Sequence, residues 1–372
     1  MIRVILILVA LVTATPLAAQ EATAQFGAAT ASHRITLRTT TDVAILAPTI
    51  EAFLAGRPDL GLDYEQWGSN DLYDLSQRDC AAGKPGADIV ISSGVHQMVK
   101  LVNDNCAASW RSPATASLPP GLIWRDQIWG VSREPAVLVY NRDLVPAGEV
   151  PETRFDLLDL LRPNDSPYAG RVATYDIQAS GLGFLFAFMD AQEASTFGAL
   201  MEAFARSGAV ATCCSAEIIA GVAKGDYLIA YNVLGSYARS TQAENPNLGI
   251  IEPQDYTLIL SRAAILPGPS ADPDAAALLD FLLSQRGQQV MARKHLCHGP
   301  DDLCQLPDPL GKSVFAIGGG RSTQGLPVLP PRGSIPVPNS MKSHGFVRFC
   351  SIFGQNGRHL TGFSRLDATN DG

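Results

Sequence analysis

An α/β fold built on mainly parallel sheets is what this sequence predicts, and three observations carry the prediction. Short apolar runs alternate along the chain with stretches of helical period. The composition, 46% hydrophobic and 17% charged, is that of a globular protein. The length, 372 residues, is enough for two lobes that each own a core.

The elements follow in order. Met1-Ile2-Arg3 gives one positive charge, Val4 to Val12 is uninterrupted apolar sequence, and small residues follow at Ala14, Ala18, Ala19, Ala22 and Ala24. This is the pattern of a secretory leader, expected over residues 1–24 with the cut after Ala19 or Ala24. The apolar stretch is about half the ~20 residues that span a bilayer, so a membrane anchor is not expected. Ile35 to Thr39 reads as a strand. Asp42 is placed to cap a helix carrying Leu46, Ile50, Phe53 and Leu54, whose regular part is expected to begin only at Pro48. Asp88–Ile91, Ala136–Tyr140, Val172–Tyr175 and Tyr227–Tyr231 are further strands. Helices are expected around Leu182, Leu185, Phe186 and Met189, and around Phe197, Leu200, Met201 and Phe204. Asp272-Pro273 starts one long helix running through Leu278, Phe281, Leu282 and Val290. From residue 311 to 372 the chain turns Gly-, Pro- and Ser-rich and is expected to be irregular.

Charge and cysteines narrow the function. A net charge of −8 argues against a nucleic-acid partner, which needs a basic face. Seven cysteines in an exported chain make disulfides plausible, with Cys80–Cys106 and Cys297–Cys304 the expected pairs. The adjacent Cys213 and Cys214 are not expected to pair without strain. Cys297, His298 and Cys304 do not have standard zinc spacing, and no metal site is expected. There is no Gly-x-Ser-x-Gly, no His-Glu-x-x-His and no phosphate-binding loop, so neither an enzyme nor a cofactor is expected. Of the six histidines only His96 falls near a strand end.

In parallel sheets, ligands bind beyond the carboxyl ends of strands. The polar residues at those ends are Thr40, Thr41, Ser92, Ser93, Ser180 and Asn232. Ser180-Gly181 opens a helix, whose free N–H groups and partial positive charge suit an anion; an ordinary N-cap is the plainer reading. Tyr237 is a further cleft candidate, and Arg133 and Glu134 read as an ion pair beside the crossover.

The stretch Pro135-Ala136-Val137-Leu138-Val139-Tyr140-Asn141-Arg142-Asp143-Leu144 resembles the lobe crossover of periplasmic solute-binding proteins of ABC importers. Pro167-Tyr168-Ala169-Gly170-Arg171-Val172 resembles the start of their second sheet, and Lys224-Gly225-Asp226-Tyr227 the strand that returns to the ligand. Within that group the chain is similar to the ferric-iron-binding branch, whose Ser-Gly helix start matches Ser180-Gly181-Leu182. The branch's paired tyrosines fall here on Asn232-Val233 or Ser236-Tyr237, and neither is Tyr-Tyr. The resemblance implies the two-lobed type II periplasmic-binding-protein fold with a central ligand cleft. It implies one lobe from residues 33–135 with 262–310 and a second from 136–261. It further implies a periplasmic monomer whose hinge closure on a small ligand, an anion or a ferric-iron-type solute, is recognised by an ABC permease in the inner membrane. The ligand contacts would be Thr40, Thr41, Ser92, Ser93, Ser180, Gly181, Asn232 and Tyr237. A sensor-kinase ligand module is the alternative, which neighbouring genes would separate, and an exported enzyme is a more distant one, which turnover assays would expose.

Overall fold

The computed structural model describes residues 20–296. The expected Cys297–Cys304 pair, the 311–372 tail and most of the leader lie outside the described residues. The first sheet receives β1 (Gln20–Phe26), β2 (His33–Thr39), β3 (Leu60–Trp67), β4 (Ile89–Ser92), β5 (Ile123–Trp124) and β6 (Ile128–Gly130). Its helices are α1 (Val43–Leu54), α2 (Ser69–Ala81), α3 (Val95–Asn103) and the short α4 (Pro113–Ala116). The chain then crosses through β7 (Glu134–Asn141) into a second sheet with α5 (Arg154–Leu161), β8 (Val172–Tyr175), α6 (Gly181–Glu193), α7 (Phe197–Ser207), β9 (Val210–Thr212), α8 (Ser215–Lys224), β10 (Ile229–Leu234), α9 (Gly235–Glu244) and β11 (Leu248–Ile251). It returns by β12 (Ile259–Leu260) to β13 (Ala263–Ile265), α10 (Pro273–Leu283) and α11 (Gln285–Ala292).

The strand orders are β1-β3-β2-β4-β13-β6-β5 and β11-β7-β10-β8-β9, with β12 pairing β7. Both sheets are more mixed than the sequence predicts. β3-β2-β4 and β10-β8-β9 are parallel, and the flanking pairs are antiparallel. The double crossover accounts for two of these pairs, β13 with β4 and β7 with β10, since each crossover strand joins its sheet from the other lobe in the reverse sense, whereas β1 lies antiparallel to β3 at the far edge of the first sheet. The parallel triplets still aim their carboxyl ends at the gap between the lobes.

Burial follows from the pleat. On β7, Val137 and Val139 join the large core shared with the first lobe, whereas Leu138, between them, joins a second core with Leu157, Leu161, Leu200 and Phe204. Two of the expected helices differ in the structure. α1 begins at Val43, so Pro48 sits inside it. The first turn is held from outside, Val43 N–H donating to Gln66 Oε1 (3.1 Å) while Ile45 and Leu46 are buried. Asp42 makes no capping bond with its side chain, because its carboxylate faces the other lobe. The long C-terminal helix breaks at Ser284, which is extended (φ −73°, ψ 157°) and caps α11 by accepting from Gly287 N–H (3.1 Å).

Cys80 and Cys106 are bonded, with Cα atoms 5.4 Å apart, tying the end of α2 to the loop after α3. Cys213 and Cys214 are also joined, against the expectation, in the turn between β9 and α8. Their Cα atoms are 3.7 Å apart, so the bond closes a ring within the turn itself. The Cys80–Cys106 loop spans 26 residues of sequence, a length for which chain entropy predicts about 3–4 kcal/mol. The double variant Cys80→Ala/Cys106→Ala is expected to lose about that much in urea unfolding, with unchanged far-UV circular dichroism.

Candidate functional site

The loops at the carboxyl ends of the parallel strands interlock within the first lobe. Thr40 Oγ1 lies 3.0 Å from Ser93 Oγ and accepts from Ser93 N–H (2.9 Å). Thr41 N–H donates to Thr39 Oγ1 (3.1 Å), and Thr41 carbonyl accepts from Tyr64 hydroxyl (2.6 Å). Ser92 Oγ accepts from Gly94 N–H (3.0 Å). These hydroxyls hold the β2–α1 and β4–α3 loops against each other at the rim of the gap.

Among the described residues, hydrogen bonds cross between the lobes at three places. Tyr237, in the first turn of α9, donates its hydroxyl to Asp42 Oδ1 (2.8 Å) and accepts from Asp42 N–H (2.9 Å). Gly181 N–H at the start of α6 donates to Ser69 Oγ (2.8 Å), and Ser180 caps α6 by accepting from Gly183 N–H (3.1 Å). Asn70 donates to Gln178 carbonyl (2.8 Å) and accepts from Gln97 Nε2 (2.8 Å). The backbone comes close at Gly181, where a Cβ would lie 2.6 Å from Gln97 Oε1. The structure is thus a closed form, with both lobes contributing polar groups to one seam.

Asn232 is in a different place. Its backbone is left-handed (φ 55°) where the β10–β7 register shifts between Ala230 and Val233. The side chain turns into the second lobe, donating to Asp190 and accepting from Arg154 Nη2 (3.3 Å). Arg154 also reaches Tyr231 hydroxyl (2.8 Å), Tyr256 carbonyl (2.7 Å) and Asp255 (3.2 Å). Every nitrogen of this buried guanidinium has an acceptor. Burial, against which Arg154 and its neighbours act, holds the Asp190 carboxyl above the usual carboxylate range. Tyr231 and Tyr237 therefore belong to separate networks and do not form a phenolate pair.

The floor of the gap is the hinge itself. β7 and β12 run antiparallel, Leu260 facing Glu134. Ser261 hydroxyl donates to Ser132 carbonyl (2.6 Å), and Arg262 N–H donates to Ser132 Oγ (3.1 Å). Glu134 is fully buried and pairs with Arg262 (2.8 Å) rather than with its neighbour Arg133. Its other oxygen accepts from Ser236 N–H (3.2 Å) and Ser236 hydroxyl (2.5 Å). Sequence reasoning missed Ser69, Asn70, Gln97 and Arg262. Ser69 and Asn70 were findable, since the alternation of Leu60, Leu62, Tyr64 and Gln66 marks the strand that they follow.

A family model described as bacterial extracellular solute-binding protein matches residues 84–307. The chain belongs to that family. Among solved structures, this solute-binding protein is similar to the substrate-binding protein of an ABC transporter from Agrobacterium tumefaciens, with 32% identity, 74% of this chain and 82% of that chain covered, and a TM-score of 0.71. It shares its fold with iron-bound HitA from Pseudomonas aeruginosa (17% identity, 70% and 84% covered, TM-score 0.58). It also shares it with AfuA from Actinobacillus pleuropneumoniae holding fructose-6-phosphate (16% identity, 71% and 83% covered, TM-score 0.59). No curated protein matches the chain. The family is one of binding proteins, and among the described residues no helix is long and apolar enough to cross a membrane. Among the described residues His33, Asp272 and Asp274 lie close enough together to hold a metal ion, and none of them bonds across the lobes, whereas Cys213 and Cys214 beside Glu217 are joined to each other and offer no thiolate.

His96, at the start of α3, lies against Phe184 of the second lobe, ring centroids 5.4 Å apart, and its Nδ1 has no hydrogen-bond partner among the described residues. Burial pushes its pKa down to about 4. The closed form thus favours the neutral ring, so its stability is complete above pH ~6.5 and falls as pH drops toward 4, by as much as ~3 kcal/mol. Wild-type melting temperature is expected to fall across that window, and His96→Phe to flatten the profile. An unchanged profile in the variant would refute the assignment.

Proposed function

We propose that this protein is exported, captures one small polar solute between its lobes, and presents the closed form to the permease of an ABC importer. The observation that carries this reading is the seam itself. Asp42, Ser69 and Asn70 from one lobe meet Tyr237, Gly181 and Gln178 from the other, all on loops or helix starts at strand ends. Each cross-lobe hydrogen bond contributes about 0.5–1.5 kcal/mol net. The four such bonds described above give a closed state of modest stability, which a ligand touching both lobes can tip. Thr41, Ser93, Ser180, Gly181 and Tyr237 border the seam and remain the proposed ligand surroundings. Ser92 and Thr40 support the loops, and Asn232 supports the second lobe from inside. The Agrobacterium relative's role in an ABC transporter supports the permease as partner.

Small-angle scattering tests the capture step. A cognate solute is expected to shrink the radius of gyration by about 1 Å or more and to raise the melting temperature, since a binder stabilises by RT ln(1 + [L]/Kd). A profile unchanged by every solute tried would defeat the proposal.

The leader reading also sharpens. β1 begins at Gln20 and pairs along β3, with Thr23 facing Glu65 and Phe26 facing Leu62. Removal after Ala24 would delete most of that strand, so the cut is expected after Ala19. Intact mass of the exported protein checks this: a first residue of Gln20 agrees, and one of Gln25 does not.

A further inference from the structure

Arg262 is 1% exposed and stands on the return crossover, one residue before β13. Its backbone is fixed at both ends, N–H to Ser132 Oγ and carbonyl to Val131 N–H (2.9 Å). The guanidinium lies within ion-pair distance of Glu134 Oε1, yet neither that contact nor any other gives it a well-aligned hydrogen bond. Nε, Nη1 and Nη2 all have no hydrogen-bond partner among the described residues. Arg154, the other buried arginine described above, has an acceptor on every nitrogen. The difference marks Arg262 as a group whose acceptors come from elsewhere, because an arginine carries five donors and an unmade buried donor bears the full desolvation of the group.

The groups around it come from both lobes. Its guanidinium carbon is 5.8 Å from the Tyr237 ring centroid. Asp42 and Tyr64 from the first lobe, and Tyr175 and Tyr237 from the second, couple to its charge. Glu134 balances that charge and is held on its far side by Ser236. Asp42 is the acidic group that bonds across the seam, with Oδ1 accepting from Gln66 Nε2 (2.9 Å) as well as from Tyr237.

We infer that Arg262 anchors the carboxylate of the captured solute and that Asp42 receives a hydroxyl or ammonium group of the same molecule. The solute class is a small 2-hydroxy- or 2-amino-carboxylate. The inference rests on the capture reading above. A planar carboxylate matches the guanidinium fork with two parallel hydrogen bonds, which a point cation cannot do. The charge count also selects the class. With Arg262 against Glu134 and Asp42, the floor already carries an excess of negative charge. It therefore favours a monoanion that brings its own donor over a dianionic phosphate.

The test uses the wild-type chain first. The monocarboxylate amino acids and glycolate, lactate and glycerate are titrated by calorimetry, with inorganic phosphate, ferric citrate and neutral sugars as the other arms, and each binder is checked for contraction by scattering. At least one carboxylate is expected to bind and contract the protein, and its carboxamide to bind at least 100-fold more weakly. Arg262→Lys is expected to lose 10-fold or more, and Arg262→Met at least 100-fold. Glu134→Gln/Arg262→Met, which removes both buried charges, gives a second variant whose folding is checked by circular dichroism and which is expected to lose binding likewise. Phosphate, a sugar or ferric citrate contracting the protein while no panel acid does would overturn the inference and leave capture standing. So would a carboxamide or an Arg262→Lys variant binding within threefold of the parent. Contraction by nothing at all would overturn capture, and this inference with it.

Discussion

The antiparallel pairing of the outbound and return crossovers is the constraint on which the rest depends. Two strands must leave one sheet and enter another side by side, and Ser132, Glu134, Ser261 and Arg262 are the residues that fasten them. The crossover brings β13 in beside β4 and β7 in beside β10, each antiparallel to the parallel strands it joins. It also sets two cleft faces opposite each other. The parallel triplets then place their loop ends, with hydroxyl- and amide-bearing residues, along the seam.

Electrostatics divides the molecule into a closed account and an open one. In the second lobe, Arg154, Asp190, Tyr231, Asn232 and Tyr256 satisfy one another. Such networks strengthen internally in a low dielectric and punish any missing partner. At the hinge, Ser236 holds Glu134 Oε2, while Glu134 Oε1 and Arg262 face each other at ion-pair distance with no well-aligned hydrogen bond. The fold thus completes the hydrogen bonding of one buried arginine and leaves that of another incomplete.

Much of this was legible in the sequence where the signal is local. Thr40, Ser93 and Ser180 follow apolar runs and stand at strand ends, as the rule for parallel sheets requires. Asp42 was recognised as sitting at a helix start, but the partner of its carboxylate lies 195 residues away in Tyr237, and no local pattern announces that. Arg262 reads in sequence as one charge interrupting Leu-Ser-Arg-Ala-Ala-Ile-Leu; only the crossover brings Glu134 beside it. Asn232 misled because a shift of register turns a side chain to the other side of a sheet, and the bulge responsible depends on β7. The helix ends at Pro48 and Ser284 also departed from the local pattern. Packing against Gln66 and the core carried a helix through a proline, and an ordinary serine was enough to end one.

The start of the chain reaches the seam through one side chain. Gln66 Nε2 donates to Glu21 Oε2 on β1 (3.0 Å) as well as to Asp42, while its Oε1 holds the first turn of α1. The residue that steadies the rim acid is thereby itself steadied by the second residue of β1. Recombinant material that begins a few residues late, or that carries purification residues ahead of Gln20, would present a subtly different rim. Affinities measured on proteins with different N-termini would then differ for a reason unrelated to the solute.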